Sequence, residues 1–254
     1  MKIAIAGKGG VGKTTISGTL CRILGKKGIA VLAIDGDPNP NLSLVLGIGR
    51  DIKPPPPLSA DGVLERVEDP DGKRYIQLKM PLQEVLKTYG QTAPDNVTLL
   101  MVGQPDHAGT GCMCSSHTAV REVIHAAMTE GNQMTILDTE ASLELLKRGT
   151  PKYVDTMFVV VEPYYRSLEA AGRFFRLAKE LGVEKVYAIA NKVQNTDDEA
   201  AIRQFCTAIN LPVSAIIPFD TQITEADLKG QSIMDYAAES KAVGAIRDWA
   251  ERAF

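Results

Sequence analysis

The chain alternates short apolar runs with longer stretches whose apolar residues recur at helical spacing. Runs of strand length stand at "KIAIAG", "AVLAID", "VTLLMVG", "QMTILDT", "TMFVVVE", "VYAIAN" and "VSAIIPF". Helix-patterned segments such as Thr14–Lys26, Ala119–Thr129 and Leu168–Leu181 separate most of them. Strands alternating with helices predict an α/β fold, a mainly parallel β-sheet flanked by helices on both faces. One region breaks the rhythm. Between Arg50 and Asn96 the chain carries "KPPPPL" and then "RVEDPDGKRYIQLK". The Asp-Pro-Asp-Gly centre of the latter, between short alternating flanks, predicts a hairpin or exposed loop. We read residues 1–254 as a single domain, long enough to bury a substantial core, with a surface insertion at 50–96.

Composition narrows the partners. With 28 Lys+Arg against 31 Asp+Glu, the chain has no basic excess for a nucleic-acid stripe or a broad membrane-binding face. No apolar run approaches the ~18 residues of a membrane span. Four cysteines without a regular framework, and no leader pattern at the start, predict a cytoplasmic protein whose thiols stay free or bind metal. Small ligands and proteins are the expected partners, with no nucleic acid and no membrane.

The strongest chemical signal is "GKGGVGKTT", which follows the first strand and opens the first helix as the phosphate-loop motif G-x-x-x-x-G-K-[ST] requires. Gly7, Gly9, Gly10 and Gly12 allow a tight path in which backbone N–H groups surround phosphate oxygens at a positive helix end. The nucleotide-binding set is Gly9, Gly10, Val11, Gly12, Lys13, Thr14 and Thr15. Lys13 reaches the β- and γ-phosphates and the Thr14 hydroxyl ligates Mg²⁺.

Lys8 adds a second cation beside the phosphates. With it the loop resembles that of the deviant phosphate-loop ATPases, which include nitrogenase iron protein and the cell-division and plasmid-partition ATPases. The resemblance implies that Lys8 crosses a nucleotide-sandwich homodimer to touch the partner's phosphates. It extends to "AIDGDPNPN", which looks like the first switch D-x-D-P-x-x-N, and to "TILDTEASLE", which looks like the second. Asp37 is then the residue that positions the attacking water and shares the magnesium shell, and Asp138 holds Mg²⁺; Asp35 reads as a strand-end cap. Ser142 stands where the second switch usually has glycine. "AIANKV" resembles the Asn-Lys signature from which Asn191 pairs with adenine, and "IIPFDTQI" resembles the loop closing over the base. Gln194 occupies the place of the acid that a guanine-reading N-K-x-D needs, so the expected nucleotide is ATP, leaving as ADP.

A second motif is "GCMCSSH", which puts Cys112 and Cys114 one residue apart, whereas Cys21 and Cys206 each stand alone. Residues i and i+2 of an extended segment project to the same side, so both sulfurs can face one ion. Two thiolates do not close a four-coordinate site. A twofold dimer brings the same loop from each subunit together, and two plus two gives four sulfurs. Such a set suits tetrahedral Zn²⁺ or square-planar Ni²⁺. A C-x-C pair in this setting resembles the nickel-insertion ATPases that mature carbon monoxide dehydrogenase, which implies a homodimer bridged by nucleotide and metal, Ni²⁺ as cargo with Zn²⁺ able to substitute, and that enzyme as client. His107 and His117 are further candidate ligands; His125 reads as structural. Two rival readings are a partition or division-site ATPase acting on DNA or membrane, and an electron carrier with a bridging iron–sulfur cluster. Against the membrane form, "SKAVGAIRDWAERAF" places Ala242, Val243, Ile246, Trp249, Ala250 and Ala253 at the spacing of a helix packed on the sheet.

Overall fold

The protein is described by a computed structural model over residues 1–37, 39–49, 60–101, 114–130, 133–139 and 154–254. In chain order these form β1 (Lys2–Gly7), α1 (Lys13–Lys26), β2 (Val31–Asp35), α2 (Leu42–Val45), α3 (Ala60–Val63), β3 (Leu64–Glu68), β4 (Arg74–Leu78), α4 (Leu82–Tyr89), β5 (Gln91–Ala93) and β6 (Val97–Met101). There follow α5 (Cys114–Glu130), β7 (Met134–Asp138), β8 (Thr156–Val161), α6 (Tyr165–Glu180), β9 (Lys185–Val193), α7 (Thr196–Ala208), β10 (Val213–Pro218), α8 (Thr221–Leu228), α9 (Ile233–Tyr236) and α10 (Lys241–Ala253).

The main sheet has eight strands in the order β10-β9-β8-β1-β7-β2-β6-β5, parallel except where β5 runs against β6. Because side chains alternate across a strand, each central strand feeds two cores. Ala4, Ala6, Leu32 and Ile34 face a core filled from α5, α6 and α7 by residues such as Val123, Phe174 and Ile202. Ile3, Ile5, Val31 and Ala33 face the other, filled by Leu20 and Leu24 of α1 and by Ile246 and Trp249 of α10. The apolar runs read in the sequence are therefore strands covered on both faces. Trp249 anchors the second core, edge-on to Phe158 with ring centroids 4.9 Å apart, and its indole N–H donates to Ser214 Oγ at 2.9 Å.

The 50–96 region is more than a surface insertion. β3 and β4 form the expected antiparallel hairpin around Asp69–Lys73. Beyond it, Leu82, Val85, Leu86 and Tyr89 fall on one face of α4, and that face needs cover. Leu82 and Val85 are fully buried in the first core, and β5 extends the main sheet. Residues 50–59, with the proline run, lie outside the described residues.

Parallel order brings the carboxyl ends of β1, β2, β7, β8 and β9 to one edge of the sheet. That edge carries the loop 7–12, Asp35 and Asp138, which face each other in register across β2 and β7, and Asn191. Open α/β sheets bind ligands there.

Candidate functional site

The loop between β1 and α1 owes its path to glycine. Gly7, Gly10 and Gly12 have φ of 145°, 81° and 96°, a region in which a side chain is strained. Space adds a second reason at Gly12, where a Cβ would run into the Asn191 amide. The Lys13 side chain, 7% exposed, folds back so that Nζ donates to the Lys8 carbonyl at 3.3 Å, closing the cradle around a cation. Lys8 is exposed on the rim. The loop thus presents one cation inward and a second outward.

Beneath the loop lie two buried acids. Asp35 and Asp138 are 0% and 1% exposed. Burial, followed by the mutual repulsion of the pair, raises the Asp138 pKa to about 7, while the Thr14 and Ser17 hydroxyls and the Lys13 cation pull it down. Burial raises Asp35 to about 6 against three backbone N–H donors. Ser17 Oγ donates to Asp138 Oδ1 at 3.0 Å. Oδ2 is buried without a donor in hydrogen-bonding geometry, although Thr14 is close enough to act on the carboxylate. A buried acceptor lacking its partner beside a like charge is short of positive charge. The donor set of hydroxyls and carboxylates therefore fits a hard divalent cation such as Mg²⁺.

Asp35 does more than end a strand. Its Oδ2 accepts from Leu42 N–H at 2.9 Å and its Oδ1 from Asp37 N–H at 3.2 Å, so it fixes α2 and the turn that carries Asp37. Asp37 is half-buried, and its Oδ1 accepts from Asn39 N–H at 2.8 Å. The ends of β2 and β7 are tied by Gly36 N–H to the Asp138 carbonyl at 2.9 Å.

Asn191, 6% exposed, lines a cleft whose walls include Ile16, Ile217, Pro218 and Phe219. Apolar walls with few polar groups suit a planar base. One N–H of the Asn191 amide is engaged, Nδ2 donating to the Val11 carbonyl at 2.7 Å, which leaves its Oδ1 and second N–H for a base. Lys192 beside it donates from Nζ to the Gly10 carbonyl at 2.6 Å and pairs with Glu162 at 2.6 Å.

The structure thus gathers Gly9 to Thr15, Asp37, Asp138 and Asn191 at one edge. Cys112, His107 and Ser142 lie outside the described residues, and Cys114 is described only as the first residue of α5, as His117 is only within it. His125 is exposed on that helix. Among the described residues there is no cluster of three or more metal-ligating side chains and no helix long and apolar enough to cross a membrane. Sequence reading missed Ser17, Lys192 and Glu162. Ser17 was legible in principle, three residues after Thr14 and so on the same helix face; Glu162 had no local signal.

Three comparisons bear on this site. The family described as the CobQ/CobB/MinD/ParA nucleotide binding domain matches residues 2–233. The carbon monoxide dehydrogenase accessory protein CooC of Rhodospirillum rubrum is 36% identical over 242 residues, 92% of this chain and 90% of that protein. An uncharacterized ATP-binding protein of Methanocaldococcus jannaschii is 35% identical over 237 residues, 92% of this chain and 91% of that one. Among solved structures, the septum site-determining protein MinD of Pyrococcus horikoshii, complexed with Mg-ADP, superposes with a TM-score of 0.73 at 25% identity, covering 99% of this chain and 94% of that one.

Proposed function

This chain belongs to the CobQ/CobB/MinD/ParA nucleotide-binding family and is a phosphate-loop ATPase, and from that premise we propose that it is a nickel metallochaperone which matures carbon monoxide dehydrogenase. The observation that carries this reading is the Cys112-Met-Cys114 pair in a chain 36% identical to a carbon monoxide dehydrogenase accessory protein. ATP closes a homodimer, closure brings two C-x-C pairs together, and four thiolates hold one Ni²⁺ as cargo, with Zn²⁺ able to take its place. Anything that binds only the closed dimer stabilises it, so nucleotide and metal each favour the state the other needs.

The chain's own residues divide the ATPase work. Lys13 neutralises the β- and γ-phosphates and Lys8, exposed on the rim, reaches the partner subunit's nucleotide. Asp37, on the turn fixed by Asp35, orients the attacking water. Thr14 and Asp138 would hold Mg²⁺, which lowers the charge of the phosphates when bound. A membrane-acting ATPase would need a free amphipathic face; here the apolar face of α10 is occupied, with Ala242, Val243, Ile246, Trp249 and Ala250 buried, and of that face only Ala253, in the last turn, is exposed.

Native mass spectrometry of the reduced protein titrated with Ni²⁺ tests this reading. One ion per two chains is expected, lost in Cys112→Ala and in Cys114→Ala while ATP binding survives. One tightly held ion per monomer, or unchanged binding in the double variant, would refute the bridged site and turn attention to His107 and His117.

A further inference from the structure

Asn191 and Lys192 are consecutive, yet their side chains reach consecutive carbonyls of the same loop: Val11 from Nδ2 at 2.7 Å and Gly10 from Nζ at 2.6 Å. Neighbouring residues of a strand ordinarily point to opposite faces. The backbone of Lys192 explains the exception, because its φ of 58° turns the chain out of the extended conformation near the end of β9. A lysine in that region is strained, and such strain persists where surrounding contacts fix it. Here they do: Nζ is held between the Gly10 carbonyl and Glu162 Oε1, itself at 2.6 Å.

The grip has a consequence for phosphate binding. In a trans peptide the carbonyl and the following N–H point to opposite sides. Drawing the Gly10 and Val11 carbonyls outward turns the N–H groups of Val11 and Gly12 to the inner side of the loop. Val11 N–H makes only a long 3.5 Å bond, to the Lys8 carbonyl. Gly12 is matched to the grip, since its missing Cβ is what lets the Asn191 amide approach.

We infer that Asn191 and Lys192, with Glu162 behind them, are positioning residues that hold the phosphate loop in its binding conformation, and that Asn191 contributes to nucleotide affinity through the phosphates in addition to whatever its Oδ1 contributes at the base. This rests on nucleotide binding alone and is independent of the metal.

The test compares ATP, GTP and inorganic tripolyphosphate, which has no base, by calorimetry. Losing one such hydrogen bond weakens binding by about three- to tenfold. Asn191→Ala is expected to weaken all three ligands, the base-free tripolyphosphate included. Unaffected tripolyphosphate binding would make Asn191 a base reader only and overturn the inference. Should that buried variant fail to fold, Lys192→Met and Glu162→Gln at the rim carry the same comparison. Lys192→Met weakens all three ligands and Lys192→Arg restores them. Glu162→Gln separates positioning from simple attraction, because removing an acid near the phosphates would tighten binding if Lys192 acted only by its charge. The grip requires weaker binding instead, and tighter or unchanged binding would contradict it.

Discussion

Two charge clusters are buried along α1, and they treat burial in opposite ways. Arg22, its side chain 5% exposed, is matched: Nε bonds Asp95 at 2.7 Å and Nη1 bonds Asp235 at 2.7 Å, with Ser232 Oγ at 3.3 Å. Asp35 and Asp138 are mismatched, two acids in register with a raised pKa on each and an Oδ2 without a donor. The first cluster is complete and ties α1 to α9 and to the turn before β6. The second lacks positive charge, and that deficit marks a place built for something that arrives. A buried charge network supports structure when its groups satisfy one another and binding when they do not.

The largest change is expected from breaking the matched cluster. Arg22→Ala leaves Asp95 and Asp235 without their buried partner and should cost about 3 kcal/mol of stability, the low end for a buried pair because both acids keep contact with water, read from urea unfolding, with nucleotide affinity of the folded fraction little altered. Normal stability in that variant would show that the cluster is not structural.

Next comes the mismatched site. Lys13→Ala removes the cation nearest both the acids and the incoming phosphates, and phosphate release should fall about 10²–10³-fold, the loss of one preorganised charge. Turnover at the ordinary rate would sink the phosphate-site assignment.

A smaller effect of opposite sign sharpens the contrast. Asp138→Asn relieves the repulsion, so the nucleotide-free protein should gain stability on the order of 1 kcal/mol at pH 8 while losing Mg²⁺-dependent nucleotide binding. A variant less stable than the parent would place the acid pair among the structural contacts.

The weakest effect is a slope. Asp35 and Asp138 hold protons more tightly folded than unfolded, with folded values of about 6 and about 7 against 3.8. The stabilisation is full below pH 4 and is lost as pH rises through the folded values, so these acids make the nucleotide-free protein less stable between about pH 4 and 8. In Asp138→Asn that fall should be shallower. An equal fall in both proteins would assign the slope to other groups.

Much of this contrast was legible in the sequence, for local reasons. The phosphate loop announces itself because glycine, lysine and threonine are each required at a fixed offset from a strand end. The places of Asp37 and Asp138 at the sheet edge followed from their strand ends, and the seven apolar runs became strands because burial on both faces leaves no alternation to misread. What was not legible depends on distant partners. Asp35 looked like a cap until register set it against Asp138. Lys192 needed a left-handed backbone to reach Gly10, and Glu162 lies thirty residues before it. α4 and β5 were hidden in the 50–96 region because the turn signals of "EDPDGK" and the proline run outweighed a short helical face.

The most direct measurement for the proposed function is the affinity of the reduced protein for Ni²⁺ with and without a non-hydrolysable ATP analogue. If nucleotide closes the dimer that completes the four-thiolate site, the analogue should tighten nickel binding by about tenfold or more, and nickel should tighten analogue binding by the same factor, as reciprocal coupling demands. Equal nickel affinity in the two states would contradict the account, because metal and ATP would then act on sites that do not share a conformation.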